Sequence, residues 1–82
     1  MQYKIRFKPR ALKDGKKLSK KELERIFEKI ENMKENMAGD VKHLTDHMPE
    51  YRLRVGNYRI LFEIEDDVII VYRIRHRKDI YR

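Results

Sequence analysis

The 82-residue chain contains no cysteine. Disulfides and thiolate metal sites are therefore excluded, and a reducing compartment, the cytoplasm, is the expected setting. Long apolar runs are missing too. The longest, Val68–Tyr72, falls far short of the ~20 residues that a membrane-spanning helix needs, so no membrane partner is expected. Met1–Arg10 alternates charged with apolar residues and lacks the continuous apolar core of a secretory signal. With three glycines and two prolines, the chain has no repeat, low-complexity tract or linker to divide it. One domain over residues 1–82 is expected. A domain of this size buries about 60–65% of its unfolded surface, so its stability margin is thin and a partner can add to it.

What the chain has in excess is positive charge: net +7, with a pI near 9.8. Acidic partners are favoured, nucleic acid foremost. The two basic residue types are also segregated. Ten of the eleven lysines precede residue 50, whereas seven of the ten arginines follow it, at Arg52, Arg54, Arg59, Arg73, Arg75, Arg77 and Arg82. A guanidinium is planar, permanently charged and able to hold a phosphate through two hydrogen bonds. Set into rigid strands, such groups make a phosphate-binding surface.

Tyr3, Ile5 and Phe7 alternate with polar residues, the pattern of a half-buried strand. Pro9 can open a helix, which Asp14-Gly15 interrupts before Leu18. Ser19 and Glu22 form a capping box, and Leu23, Ile26, Phe27, Ile30, Met33 and Met37 follow at helical spacing. A helix over Lys20–Met37 is predicted, stopped by Gly39. Its stripe reads as core packing and not as a cofactor box. Beyond Gly39 the period becomes 2, with a possible short strand at Val41–Thr45 and longer strands at Tyr51–Val55, Tyr58–Ile64 and Val68–Arg75. The expected fold is α+β, β-α-α-β-β-β, with helices covering one face of a largely antiparallel sheet.

Gly56-Asn57 is a two-residue hairpin signal. It pairs Val55 with Tyr58 and Leu53 with Ile60, and sets Arg54 opposite Arg59 on the face away from the helices. Like charges so placed cost a few tenths to ~1 kcal/mol, so their retention implies use in binding anions. At the next turn, a two-residue loop at Asp66-Asp67 would send Arg73 toward the core. Hydrophobic alternation favours a three-residue loop, Glu65–Asp67. That loop puts Val68, Ile70, Tyr72 and Ile74 in the core and Arg73 and Arg75 beside Arg59.

The tail Arg75-His76-Arg77-Lys78-Asp79-Ile80-Tyr81-Arg82 sets two proton-transfer candidates, His76 and Tyr81, among cations. A ribonuclease without metal needs a group to take the 2′-OH proton, cations for the pentacoordinate phosphorane, and a group to protonate the 5′-oxygen. His43 and His47 read as loop residues, because no second cluster completes a metal site. No cofactor is expected.

The segments Tyr3–Pro9, Gly39–Leu44, Tyr51–Ile60 and His76–Tyr81 together resemble the RelE/ParE superfamily of bacterial and archaeal toxin–antitoxin toxins. The resemblance implies one of two activities. RelE-like members are endoribonucleases that cut mRNA in the ribosomal A site and are silenced by a cognate antitoxin. ParE-like members poison DNA gyrase and lack the ribonuclease residues. By position, the family's basic pair before the hairpin falls on Arg52 and Arg54, the arginine after the turn on Arg59, and the tail pair on Arg77 and Tyr81. His76 lies where some relatives carry a histidine.

The implied catalytic set is Arg54, Arg59, His76, Arg77 and Tyr81, with Arg52, Arg73 and Arg75 binding substrate. An arginine hardly deprotonates, so the general base stands open between His76 and Glu50. The first expectation is therefore a metal-independent, ribosome-dependent mRNA interferase whose partners are the ribosome, mRNA and an acidic RelB-like antitoxin. A gyrase inhibitor and a non-toxic nucleic-acid-binding module are the alternatives.

Overall fold

Alternation in the opening segment produces strand β1 (Lys4–Phe7), with Ile5 and Phe7 turned inward and Lys4 and Arg6 exposed. In the computed structural model, which describes the backbone of residues 2–80 and the side chains of residues 2–78, Lys8 then adopts an extended conformation. Pro9 opens helix α1 (Pro9–Gly15) from there. Its fixed φ suits a first helical turn, where its missing N–H costs nothing. Gly15 ends the helix where a Cβ would meet Leu23 Cδ1 at 3.2 Å, a close approach of the two helices.

Helix α2 spans Lys20–Asn32, and the Ser19 hydroxyl accepts from the Glu22 N–H at 3.2 Å. Glu22 itself turns elsewhere: its carboxylate accepts from the Tyr58 hydroxyl. Ile26, Ile30 and Met33 of the apolar stripe are buried, while Phe27 is 36% exposed with its ring edge-on to Phe7. The helix stops five residues short of the predicted Met37. Tertiary capture explains the difference: the Lys34 carbonyl accepts from the Tyr3 N–H at 2.9 Å, and Glu35 forms a bridge with Gln2. The segment leading into β1 thus holds the chain just past the helix, and Asn36 and Met37 turn it through positive φ, which a right-handed helix does not accommodate.

The remaining strands are β2 (Val41–His43), β3 (Tyr51–Val55), β4 (Tyr58–Glu65) and β5 (Val68–His76), followed by the short helix α3 (Arg77–Ile80). The sheet order is β1-β5-β4-β3-β2, antiparallel except for the β1–β5 pair. Ala11, Ile26, Ile30 and Met33 from the helices bury one face of the sheet, against Leu53, Val55, Ile60, Phe62, Ile69, Val71 and Ile74. The fold is the expected α+β domain, with β2 confirmed as a strand and a final helical turn added.

The first hairpin has the predicted register, Arg54 opposite Arg59, with Gly56 at φ +57. The second does not. Its turn is the two-residue Asp66-Asp67, with Asp66 at φ +55, pairing Glu65 with Val68. Ile69 and Val71 therefore point into the core in place of Val68, Ile70 and Tyr72. The run Val68–Tyr72 is apolar throughout, so its alternation carries no register information. A bulge then restores the phase: Phe62 pairs with Val71 but Leu61 with Arg73, leaving Tyr72 as the extra residue. Arg73 and Arg75 reach the outer face and Ile74 the core, as the three-residue turn had implied by another route.

Candidate functional site

Two rows of basic side chains cross the face away from α1 and α2. In the first, Arg54, Arg59 and Arg75 are direct cross-strand neighbours on β3, β4 and β5. In the second, Lys42, Arg52, Leu61 and Arg73 run across four strands. With strands ~4.8 Å apart, three guanidinium stems of the first row stand within ~10 Å. Arg54 is exposed, and Arg59 and Arg75 are half-buried.

The second row is partly committed. Arg52 donates to the Asp40 carbonyl at 3.0 Å and lies 3.4 Å from its carboxylate. Arg73 forms a two-point pair with Asp14, Nε to Oδ2 at 2.8 Å and Nη2 to Oδ1 at 3.2 Å. The same carboxylate accepts from the Ile74 N–H at 3.0 Å. Asp14 thus caps the edge of β5 where β1 no longer covers it. Burial pushes its carboxyl up, but the Arg73 and Ile74 hydrogen bonds and the charges of Arg73 and Lys17 prevail and hold it below the usual aspartate value.

Below the rows, the buried Glu63 accepts the Glu50 N–H on both oxygens, at 2.9 and 3.2 Å. That bond fixes the loop before β3, where Glu50 lies 3.6 Å from His43. Among the described residues no group of three or more His, Cys, Asp or Glu could hold a metal ion. No described helix is long and apolar enough to cross a membrane.

His76 does not join the arginine rows. It pairs with Tyr58 on β4 and sets its ring edge-on to the Tyr58 ring, at 5.1 Å, on the side that faces α2. Its Nδ1 accepts from the Lys78 N–H at 3.1 Å. Arg77 is exposed at the start of α3, and its N–H donates to the Asn57 carbonyl at 2.7 Å. Tyr81 lies outside the described residues. A cleft of about 370 Å³ lined by Asp14, Lys17, Tyr58, Arg73, Arg75 and His76 runs along the β5 edge.

Sequence reasoning missed Asp14, Asp40 and Glu63, the acids that hold the second row and the adjoining loop. No local pattern marks them, because each partner is distant in the chain. Lys42 was missed as well, although its pairing with Arg52 follows once β2 is extended alongside β3.

Comparison with known proteins decides what this surface belongs to. The model of the ParE toxin of type II toxin–antitoxin system, parDE, matches residues 5–81. The chain belongs to the RelE/ParE superfamily. Among its relatives, toxin RelE3 of Methanocaldococcus jannaschii is 39% identical over 64 residues, covering 76% of this chain and 73% of that protein. Putative toxin RelE1 of the same organism is 31% identical over 88 residues, covering 100% of this chain and 98% of its own. The RelB–RelE antitoxin–toxin complex from Methanococcus jannaschii superposes with a TM-score of 0.78 at 36% identity, covering 93% of this chain and 94% of the other. The RelBE2 toxin–antitoxin complex of Mycobacterium tuberculosis gives 0.80 at 26%, covering 94% and 100%. This RelE/ParE chain is thus a type II toxin with the RelE fold.

Proposed function

We propose that this RelE-family toxin is a cytoplasmic, ribosome-dependent endoribonuclease that cuts mRNA in the A site without a metal. The observation that carries the reading is the three-strand row Arg54–Arg59–Arg75, with exposed Arg77 next along the chain after His76. Guanidinium groups set side by side on rigid strands are placed to hold a phosphate through paired hydrogen bonds. In the reaction, the ribose 2′-oxygen attacks the adjacent phosphorus and the bond to the 5′-oxygen breaks. Arg54, Arg59 and Arg77 offset the extra charge of the phosphorane, and Arg52, Arg73 and Arg75 hold flanking phosphates. Tyr81 donates the proton that the leaving 5′-oxygen takes up, and the proton lost by the 2′-OH passes to solvent water, from which Tyr81 regains its own.

The Arg54–Arg59–Arg75 row contains no titratable base, the second row offers only Lys42 on the edge strand β2, and Glu63 is committed to the Glu50 N–H. The protein accordingly supplies charge and one proton, and the ribosome supplies geometry. Orientation of this kind can contribute several kcal/mol, up to ~7–11 in ideal cases. The lysines of the first half (Lys4, Lys8, Lys13, Lys16, Lys17, Lys20 and Lys21) give salt-sensitive contacts to ribosomal RNA.

Losing one preorganised cationic donor typically costs roughly 10²–10³ in rate. Arg59→Ala and Arg77→Ala are each expected to lose that much in a purified translation system, and undiminished cleavage refutes the assignment. An acidic RelB-like antitoxin is the expected silencing partner, since a +7 surface favours rapid capture by an acidic chain. Recovery of a stable complex after co-expression with the product of an adjacent gene tests it. The ParE description of the matching model supports a second reading, inhibition of gyrase without cleavage. A DNA supercoiling assay with purified gyrase distinguishes the two.

A further inference from the structure

We propose that His76 is a positioning residue that caps α3 and so holds the backbone that carries Arg77, instead of moving a proton itself. The activity part of this proposal rests on the nuclease reading above; the cap does not. His76 is the last residue of β5, in extended conformation, and α3 begins with the next residue. The first N–H groups of any helix lack partners within it. Here the Arg77 N–H donates to the Asn57 carbonyl at 2.7 Å, and the Lys78 N–H donates to His76 Nδ1 at 3.1 Å. An extended residue whose side chain accepts from the second helical N–H is an N-cap.

Capping determines the chemistry left to the imidazole. With the Nδ1 lone pair occupied, the neutral ring carries its proton on Nε2 and has no acceptor to offer a 2′-OH. The ring is also fixed in place. It lies edge-on to Tyr58 at an interplanar angle of 89°, and the Tyr58 hydroxyl is tied to Glu22 on α2. That contact holds the ring against Tyr58, in the cleft it shares with Arg73 and Arg75. A chain of contacts thus runs from α2 through Glu22, Tyr58 and His76 to the start of α3. Through it the helical layer fixes the start of α3 and the place of Arg77.

Asparagine is a good N-cap and cannot act as an acid or base near neutrality. The full-length variants His76→Asn and His76→Ala therefore separate the two roles. Each is measured for mRNA cleavage on programmed ribosomes and for hydrogen exchange at the Lys78 amide. The proposal expects His76→Asn to cleave within about threefold of the wild type with Lys78 still protected. His76→Ala should lose about tenfold or more in cleavage, and Lys78 protection should fall roughly 2- to 30-fold, the range an N-cap loss gives. If His76→Asn cleaves as poorly as His76→Ala while Lys78 stays protected, His76 moves a proton and the proposal is wrong. If the wild type cuts nothing on ribosomes, the nuclease reading fails separately, and the Lys78 exchange alone judges the cap. Unchanged protection in His76→Ala overturns it.

Discussion

Replacing Asp14 by alanine removes three hydrogen bonds at the one stretch of β5 that no strand covers. The carboxylate accepts from Arg73 Nε, Arg73 Nη2 and the Ile74 N–H, and its side chain is only 12% exposed. Ile74 is 6% exposed, so its orphaned N–H would cost ~1–3 kcal/mol. Arg73 is 27% exposed, so water recovers part of its loss, and ~1 kcal/mol is a fair figure for that side. The sum is ~3 kcal/mol, against a total stability of ~4–12 kcal/mol for a domain of this size. At ~4–8 °C per kcal/mol, Tm should fall by ~12–24 °C, as read by circular dichroism. Asp14→Asn, which keeps an oxygen for the Ile74 N–H, should lose about half as much. The pH dependence follows from the lowered carboxyl. The stabilisation is complete above the unfolded aspartate value near ~4 and is lost as pH falls through the lower folded value. The gap between wild type and Asp14→Ala should therefore be widest near neutrality and narrow in acid. A Tm within ~3 °C of wild type at pH 7, or a gap that widens in acid, would refute the reasoning.

The arginine row predicts a trade between stability and activity. Arg54→Gln relieves repulsion with Arg59 and should raise stability by a few tenths to ~1 kcal/mol, less at high salt, while lowering cleavage; a variant that is less stable and fully active contradicts it. Gly39 has φ +124, and a Cβ there would sit 2.9 Å from Leu53 Cδ1, whose residue is 1% exposed. Gly39→Ala should accordingly cost ~1–3 kcal/mol in chemical denaturation, and a neutral result would show that Leu53 gives way easily.

Much of this architecture was legible because local signals agreed with one another. Gly56-Asn57 fixed a hairpin register whose apolar partners also matched, and that register alone sets Arg54 opposite Arg59. The opposite case is Val68–Tyr72, where five apolar residues in succession fit either phase and the bulge at Tyr72 has no sequence mark. Met33 and Met37 fit the helical stripe, but helix α2 ends at Asn32, and just beyond it Lys34 and Glu35 pair with Tyr3 and Gln2, a contact between distant segments. The candidate site divides the same way. Arginine spacing reveals the rows, whereas Asp14 and Asp40, which restrain Arg73 and Arg52, come into view only when distant segments are brought together. His76 drew attention as an ionisable group in a basic tail, yet its ring is turned toward Tyr58 and its Nδ1 toward a backbone N–H.

The most direct test of ribosome-dependent cleavage is primer extension on one mRNA, incubated with the purified toxin either free or on programmed ribosomes. Discrete cuts at the A-site codon on the ribosome, with the free mRNA intact, are the expected result. Equal cleavage of both would contradict ribosome dependence, and cleavage of neither would contradict the nuclease account altogether.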